Sequence, residues 1–118
     1  MTDALPTTAF KILSRADWRA TLAEGAYDGS PVDHADGYIH LSAADQLAGT
    51  AAKHYAGQSD LMLVEVDLDA LGETLVWEPS RGGALFPHIY GPLPVTATRG
   101  VRALSVTAGG EMILSEFP

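Results

Sequence analysis

Two Ser-x-x-Asp segments, Ser14-Arg15-Ala16-Asp17 and Ser42-Ala43-Ala44-Asp45, each stand directly after a short apolar run. A serine followed three residues later by an acid has the form of a capping box, which closes a strand and opens a helix at a defined residue. The first box follows Thr8-Ala9-Phe10-Lys11-Ile12-Leu13, which reads as a strand of aromatic and β-branched residues. A helix then runs to about Glu24, with Trp18, Thr21 and Leu22 on one face and Gly25 as its stop. The second box follows Gly37-Tyr38-Ile39-His40-Leu41-Ser42. Alternation there puts Tyr38, His40 and Ser42 on one face and Ile39 with Leu41 on the other. Ser42 is expected to end that strand and cap a helix running to about Tyr55, with Gly57 just beyond. Residues 25 to 36, rich in Gly, Asp, Ser and Pro, read as a loop.

The rest of the chain reads as strands. Asp60 to Asp67 (DLMLVEVD) is the clearest, with Leu61, Leu63 and Glu65 on one face and Met62, Val64 and Val66 on the other. Thr74 to Glu78 is another, broken by Pro79-Ser80-Arg81-Gly82-Gly83. Leu85 to Pro94 is aromatic and apolar but carries three prolines, which lack the ladder donor, so it is not expected to be a central strand throughout. Val95 to Val106 reads as a strand with a break at Gly100, and Glu111 to Phe117 as a last edge strand. The order β-α-β-α followed by strands is that of an α+β fold, with two helices in the N-terminal half. Trp18, Leu22 and Leu47 are expected in the core.

Composition narrows the function. A chain of 118 residues fits one domain, residues 1–118. It has no cysteine, which excludes disulfides, thiolate zinc sites and a cysteine nucleophile. Fifteen Asp and Glu against seven Lys and Arg give a net charge of −8. Phosphate backbones and anionic membranes need clustered positive charge, so no long nucleic acid and no membrane partner is expected. No apolar run approaches a membrane span and the N-terminus lacks a signal-peptide pattern, so a cytoplasmic location is expected.

Four regions carry side chains with chemistry: Asp36 to Ser42, the acid Glu65, Trp77 to Arg81, and Phe86 to Gly91. Glu65, near Asp67 and Asp69, reads as one of a solvated acidic row. His40 lies mid-strand among apolar neighbours, on a polar face that is costly to bury unless it lines a cleft. His88 and Tyr90 share the same alternation within Phe86-Pro87-His88-Ile89-Tyr90-Gly91, where proline stiffens the backbone. Glu78 follows Trp77 at a strand end and has two open readings: an ion pair with Arg81, or the orientation of a histidine. His34, His40, His54 and His88 show no compact metal-ligand spacing, so no metal is expected. No Gly-x-Ser-x-Gly elbow marks a serine nucleophile, and Gly82-Gly83 and Gly109-Gly110 read as turns.

The strings DGYIHLSAADQLAGTAAKHY, DLMLVEVDLDALG and VWEPSRGGALFPHIYGPLP together resemble the small bacterial and plant family labelled domain of unknown function 952, over residues 9 to 101. More distantly, a strand, a capped helix, a loop and a His-Leu-Ser strand before a second helix resemble the RNA 2′-phosphotransferase branch of the ADP-ribosyltransferase fold. That resemblance implies two small packed or split sheets with NAD bound as substrate in a cleft between them. It implies a first-strand histidine on the NAD ribose, a second-strand His or Tyr by the nicotinamide, and a later residue, often Glu. His40 takes the second position, Lys11 stands at the place of the first-strand histidine, and Glu78, His88 and Tyr90 compete for the third.

On this resemblance the expected activity is NAD or nucleotide binding, with transfer or cleavage of the ADP-ribosyl group. His40 would bond the ribose or a phosphate, Tyr90 would stack on a ring, and Glu78 would stabilise cationic character at the anomeric carbon. Ser42 and the helix after it would offer donors to phosphate, with Lys11 or Arg81 neutralising charge. Two alternatives stand beside this: a non-catalytic nucleotide-binding module, and a metal-dependent enzyme using His40 and His88.

Overall fold

The computed structural model describes residues 5–80 and 82–116. The first strand, β1 (Thr8–Ser14), hands over to helix α1 (Arg15–Glu24) at the expected residue. The Ser14 side chain accepts from Asp17 N, and Gly25 closes the helix in the left-handed conformation. Only a narrow stripe of α1 is buried: Trp18 and Thr21 are in, whereas Leu22 is half exposed and is not core as expected.

Residues 25 to 36 are not a loop throughout. They hold a two-residue strand, β2 (Ala26–Tyr27), and a short helix, α2 (Pro31–Asp36). Ser30 caps α2 by accepting from Asp33 N, while the Asp33 carboxylate accepts from Ser30 N. Proline at the first helical position supplies the right φ and has no N–H to leave unpaired. Ser30→Ala is expected to cost about 1 kcal/mol, read as a lower urea midpoint at unchanged slope.

The second box does not cap a helix. Strand β3 is only Ile39–His40, and α3 spans Leu47–His54. Ser42 instead forms an isolated bridge to β1: its N–H donates to Phe10 O at 2.9 Å, and Phe10 N–H donates to Ser42 O at 2.8 Å. Its hydroxyl is 2.8 Å from the Thr50 hydroxyl. Gln46 fills the intervening turn, accepting from Ala43 N and donating to Leu85 O. The bridge consumed the backbone groups with which Ser42 would have opened a helix, so α3 begins several residues later.

The chain continues as β4 (Leu61–Asp67), a 3₁₀ segment (Leu68–Thr74), β5 (Leu75–Ser80), β6 (Ala84–Ile89), β7 (Leu93–Pro94), a 3₁₀ turn (Val95–Ala97), β8 (Thr98–Val106) and β9 (Met112–Glu116). Among the described residues these strands form three antiparallel sheets: β1-β4-β8-β9, β3-β6-β5 and β2-β7. The fold is α+β, with all three described α-helices before β4. The break expected at Gly100 is a register shift, opposite Glu65 and Val66 of β4. No helix among the described residues is long and apolar enough to cross a membrane.

β6 is the central strand of its sheet despite Pro87, but it ends at Ile89 and strand resumes only in β7 of another sheet. Leu85 to Pro94 is thus not one central strand throughout, as expected from its prolines. Pro87 stands opposite Leu41, just past the end of β3; its carbonyl accepts from Leu41 N at 3.0 Å and no bond returns. One ladder bond is lost where a two-residue partner strand stops anyway, so the proline is tolerated.

The alternation along β4 divides the interior. Met62, Val64 and Val66 pack with Ile39, Leu41 and Ile89 of the β3-β6 sheet, and with Trp18 and Tyr27. Leu61 and Leu63 pack with Leu47 and Ala51 of α3 and with Leu104 and Val106 of β8. Helix α3 and the β3-β6 sheet are thus anchored on two separate cores, and a cleft opens between them.

Candidate functional site

The cleft has a volume of about 490 Å³. β1 supplies Phe10 and Lys11 to it, α2 supplies Asp33 and Asp36, and α3 supplies Lys53 and His54. His40 and His88 look into it from adjacent strands. They are register partners in the β3-β6 pair, with ring centroids 5.5 Å apart and nearly perpendicular planes. Ile39 and Ile89, their chain neighbours, are buried on the opposite face. The alternation that buries the isoleucines turns both histidines to the same side.

Each histidine has a carboxylate on Nδ1. For His40 it is Asp33 Oδ1 at 2.6 Å; for His88 it is Glu78 Oε1 at 2.8 Å. His40 Nε2 also meets Asp36 Oδ2 at 2.8 Å, so both of its ring nitrogens face carboxylates. Tyr38 stacks on His88 with centroids 4.0 Å apart, and its ring lies 4.7 Å from His40. Burial, then Asp36 and Glu78, push the Tyr38 phenol above its ordinary range.

Asp33 organises the His40 side. It is buried and accepts from His40 N at 3.1 Å, Ser30 N at 2.9 Å and Lys11 Nζ at 2.9 Å. Burial alone would raise its pKa, but the Lys11 charge and the bonds from Ser30, His40 and Lys11 hold it below the usual carboxylate range. Lys11 is buried too and gives a further bond to His40 O at 3.0 Å. Desolvation lowers its pKa from the usual lysine value, with Asp33 acting in the opposite direction.

Glu78 organises the other side. Its Oε1 accepts from His88 Nδ1 and, at 2.7 Å, from the Tyr90 hydroxyl. The His88 and Tyr90 hydrogen bonds hold the Glu78 carboxyl below its ordinary range despite partial desolvation. The same bond to Glu78 pushes the Tyr90 phenol up to about 12, so Tyr90 stays a donor.

The residues singled out in the sequence therefore separate. His40 and His88 line the cleft together. Glu78 and Tyr90 are joined to His88 but are not among the residues lining the cleft. Glu78 contacts a histidine, as one of its two readings expected, and its other reading, a pair with Arg81, falls on a residue outside the described ones. Lys11 lines the cleft with its ammonium already bound to Asp33 and His40, and Ser42 has its hydroxyl on Thr50 and its N–H on Phe10. The Lys11 ammonium is turned to internal partners, the Ser42 hydroxyl is shared with Thr50, and no helix begins at Ser42. Arg81 lies outside the described residues. The sequence did not single out Asp33 or Lys53, and it marked the Asp36 to Ser42 segment without giving Asp36 or Tyr38 a role. Asp36 and Tyr38 adjoin His40 in the chain, and the capping box Ser30-Pro31-Val32-Asp33 was the available signal for Asp33. Among the described residues no three His, Asp or Glu side chains are grouped to hold a metal ion.

A family model described as "Protein of unknown function (DUF952)" matches residues 12–101. The chain belongs to the DUF952 family. Its DUF952 fold is that of a solved protein, CC0527 from Caulobacter crescentus. The crystal structure of that protein is 50% identical over 91% of this chain and 94% of its own, with a TM-score of 0.86. Its solution NMR structure is 51% identical over 89% and 90%, with a TM-score of 0.78. No curated protein matches this DUF952 chain.

Proposed function

We propose that the DUF952 cleft binds a nucleotide of the NAD class and transfers or cleaves its ADP-ribosyl group. The observation that carries this reading is the juxtaposition of His40 and His88 as register partners on one cleft wall. Breaking a C–N glycosidic bond through an oxocarbenium-like state asks mainly for orientation and nearby negative charge. Orientation comes from two histidines whose rings are each fixed by a carboxylate. Negative charge nearest the cleft comes from Asp36, which lines it, is half exposed and lies on His40 Nε2, whereas Asp33 is buried against Lys11. Lys53 and His54, in the last turn of α3, line the cleft and favour the phosphates of such a ligand over a long polyanion in a chain of charge −8.

A second reading, a nucleotide-binding module without turnover, is favoured by Lys11. At the place where the resemblance implies a histidine for the NAD ribose, the chain has a buried lysine committed to an internal ion pair.

Both readings share one experiment. NAD and ADP-ribose are titrated while thermal unfolding is followed, and nicotinamide release is measured in parallel. Ligand at 100 times its Kd is expected to add about 2.7 kcal/mol to stability and so raise Tm. A rise with nicotinamide release supports the transferase reading, and a rise without release supports the module. An unchanged Tm with both ligands sinks the two together.

A further inference from the structure

We propose that His88, rather than Glu78, meets the reacting atoms, and that its Nε2 takes a proton from a hydroxyl co-substrate, either water or an alcohol. This assignment rests on the NAD-class reading and names the second reactant for it.

The geometry argues for it in three steps. Glu78 Oε1 is taken up by two donors from within the protein, His88 Nδ1 and the Tyr90 hydroxyl, and Glu78 does not line the cleft. An ionised carboxylate only accepts, so Nδ1 of His88 must be the donor. The neutral ring then carries its proton on Nδ1 and leaves Nε2 as a bare acceptor. That nitrogen has no hydrogen-bond partner among the described residues. His88 is otherwise buried, yet among the described residues no fully buried side-chain nitrogen or oxygen lacks a partner, so Nε2 is not fully buried, and the cleft that His88 lines is where a ligand would reach it. A histidine with a carboxylate behind it and a free Nε2 in front is the arrangement that serves as a general base.

The two histidines are not equivalent. His40 Nε2 is held by Asp36 in this structure, while His88 Nε2 has no carboxylate on it among the described residues. Tyr38, stacked on the His88 ring, prevents it from turning over. Glu78, Tyr90 and Tyr38 are positioning residues, and His88 is the catalytic residue they serve. In the step proposed, the co-substrate oxygen forms a bond to the anomeric carbon of the NAD ribose, and its proton passes to His88 Nε2. The C–N bond to nicotinamide breaks and its electron pair leaves with neutral nicotinamide. No oxidant or reductant is involved.

The test combines imidazole ¹⁵N NMR of the ligand-free wild-type protein with nicotinamide release by wild type, His88→Gln and Glu78→Gln. The expected spectrum places the His88 proton on Nδ1 and gives Nε2 the shift of an unprotonated ring nitrogen. His88→Gln is expected to lower kcat about 10²- to 10⁴-fold. Glu78→Gln is expected to lower kcat at least about 10-fold with little change in KM, and to disturb the tautomer signal. A wild-type spectrum with the proton on Nε2 overturns the assignment, as does a His88→Gln protein that binds ADP-ribose and turns over at the wild-type rate. Absence of nicotinamide release from the wild type sinks the NAD-class reading instead, and the ring spectrum then decides the acceptor role of His88 by itself.

Discussion

Replacing Asp33 by alanine is expected to cost about 3–5 kcal/mol of stability, because it strands a buried ammonium. Lys11 is about as buried as Asp33, and its charge is balanced by that carboxylate alone among the described residues. The same carboxylate also accepts from two backbone N–H groups and the His40 ring. Urea unfolding at unchanged slope measures the loss. The double variant Asp33→Ala with Lys11→Met is expected to recover much of it, since exchanging both partners of a buried pair for apolar groups is often close to neutral. Recovery absent in the double variant would show that the loss came from the N–H and His40 bonds and not from the stranded charge. The pairing also sets a pH dependence. The folded-state pKa of Asp33 is depressed, so its stabilisation is fully present above the unfolded carboxylate value of about 4 and is lost as pH falls through the lower folded value. Acid unfolding of the wild type is therefore expected to steepen below that pH.

Much of this arrangement was legible in the sequence, and the exceptions have specific causes. Local signals were reliable where one residue decides a conformation: Ser14 opens α1 and Gly25 closes it. The period of two along Asp60 to Asp67 correctly divided Met62, Val64 and Val66 from Leu61 and Leu63. It also put His40 on the face opposite Ile39. What failed depends on partners distant in the chain. Ser42 has the same local motif as Ser14, but the edge of β1 claims its backbone groups first. The prolines of Leu85 to Pro94 correctly signalled a break, but that Pro87 itself sits in a central strand is explained only by the partner strand ending opposite it. Asp33 reaches Lys11 across 22 positions and His40 across seven, so its role is visible only after folding. Glu78 was weighed as an orienting group for a histidine and does contact His88, yet its absence from the cleft lining depends on how the folded sheet turns it, which no spacing encodes.

Ile89→Ala is expected to be the companion loss on the other face of the site, about 2–5 kcal/mol for an isoleucine truncated to alanine. Ile89 is fully buried, pairs with Ile39 on one side and Leu75 on the other, and packs with Met62 and Val64 of β4. It is therefore the joint between the four-stranded sheet and the sheet that carries both histidines. Ile89→Val removes one methylene-sized group and keeps the β-branch that suits a strand, so it is expected to cost only about 0.5–1.5 kcal/mol. The ratio between the two variants separates a cavity from a general intolerance of change at this position. Because His88 is the next residue along β6, a cavity at 89 should also let the His40–His88 pairing relax. Cross-peaks between the two imidazole rings, which lie 5.5 Å apart between centroids, are expected to weaken in Ile89→Ala and persist in Ile89→Val. Full stability in Ile89→Ala, or unchanged ring contacts despite its destabilisation, would mean that the histidines are held by their carboxylates and not by the core beneath them.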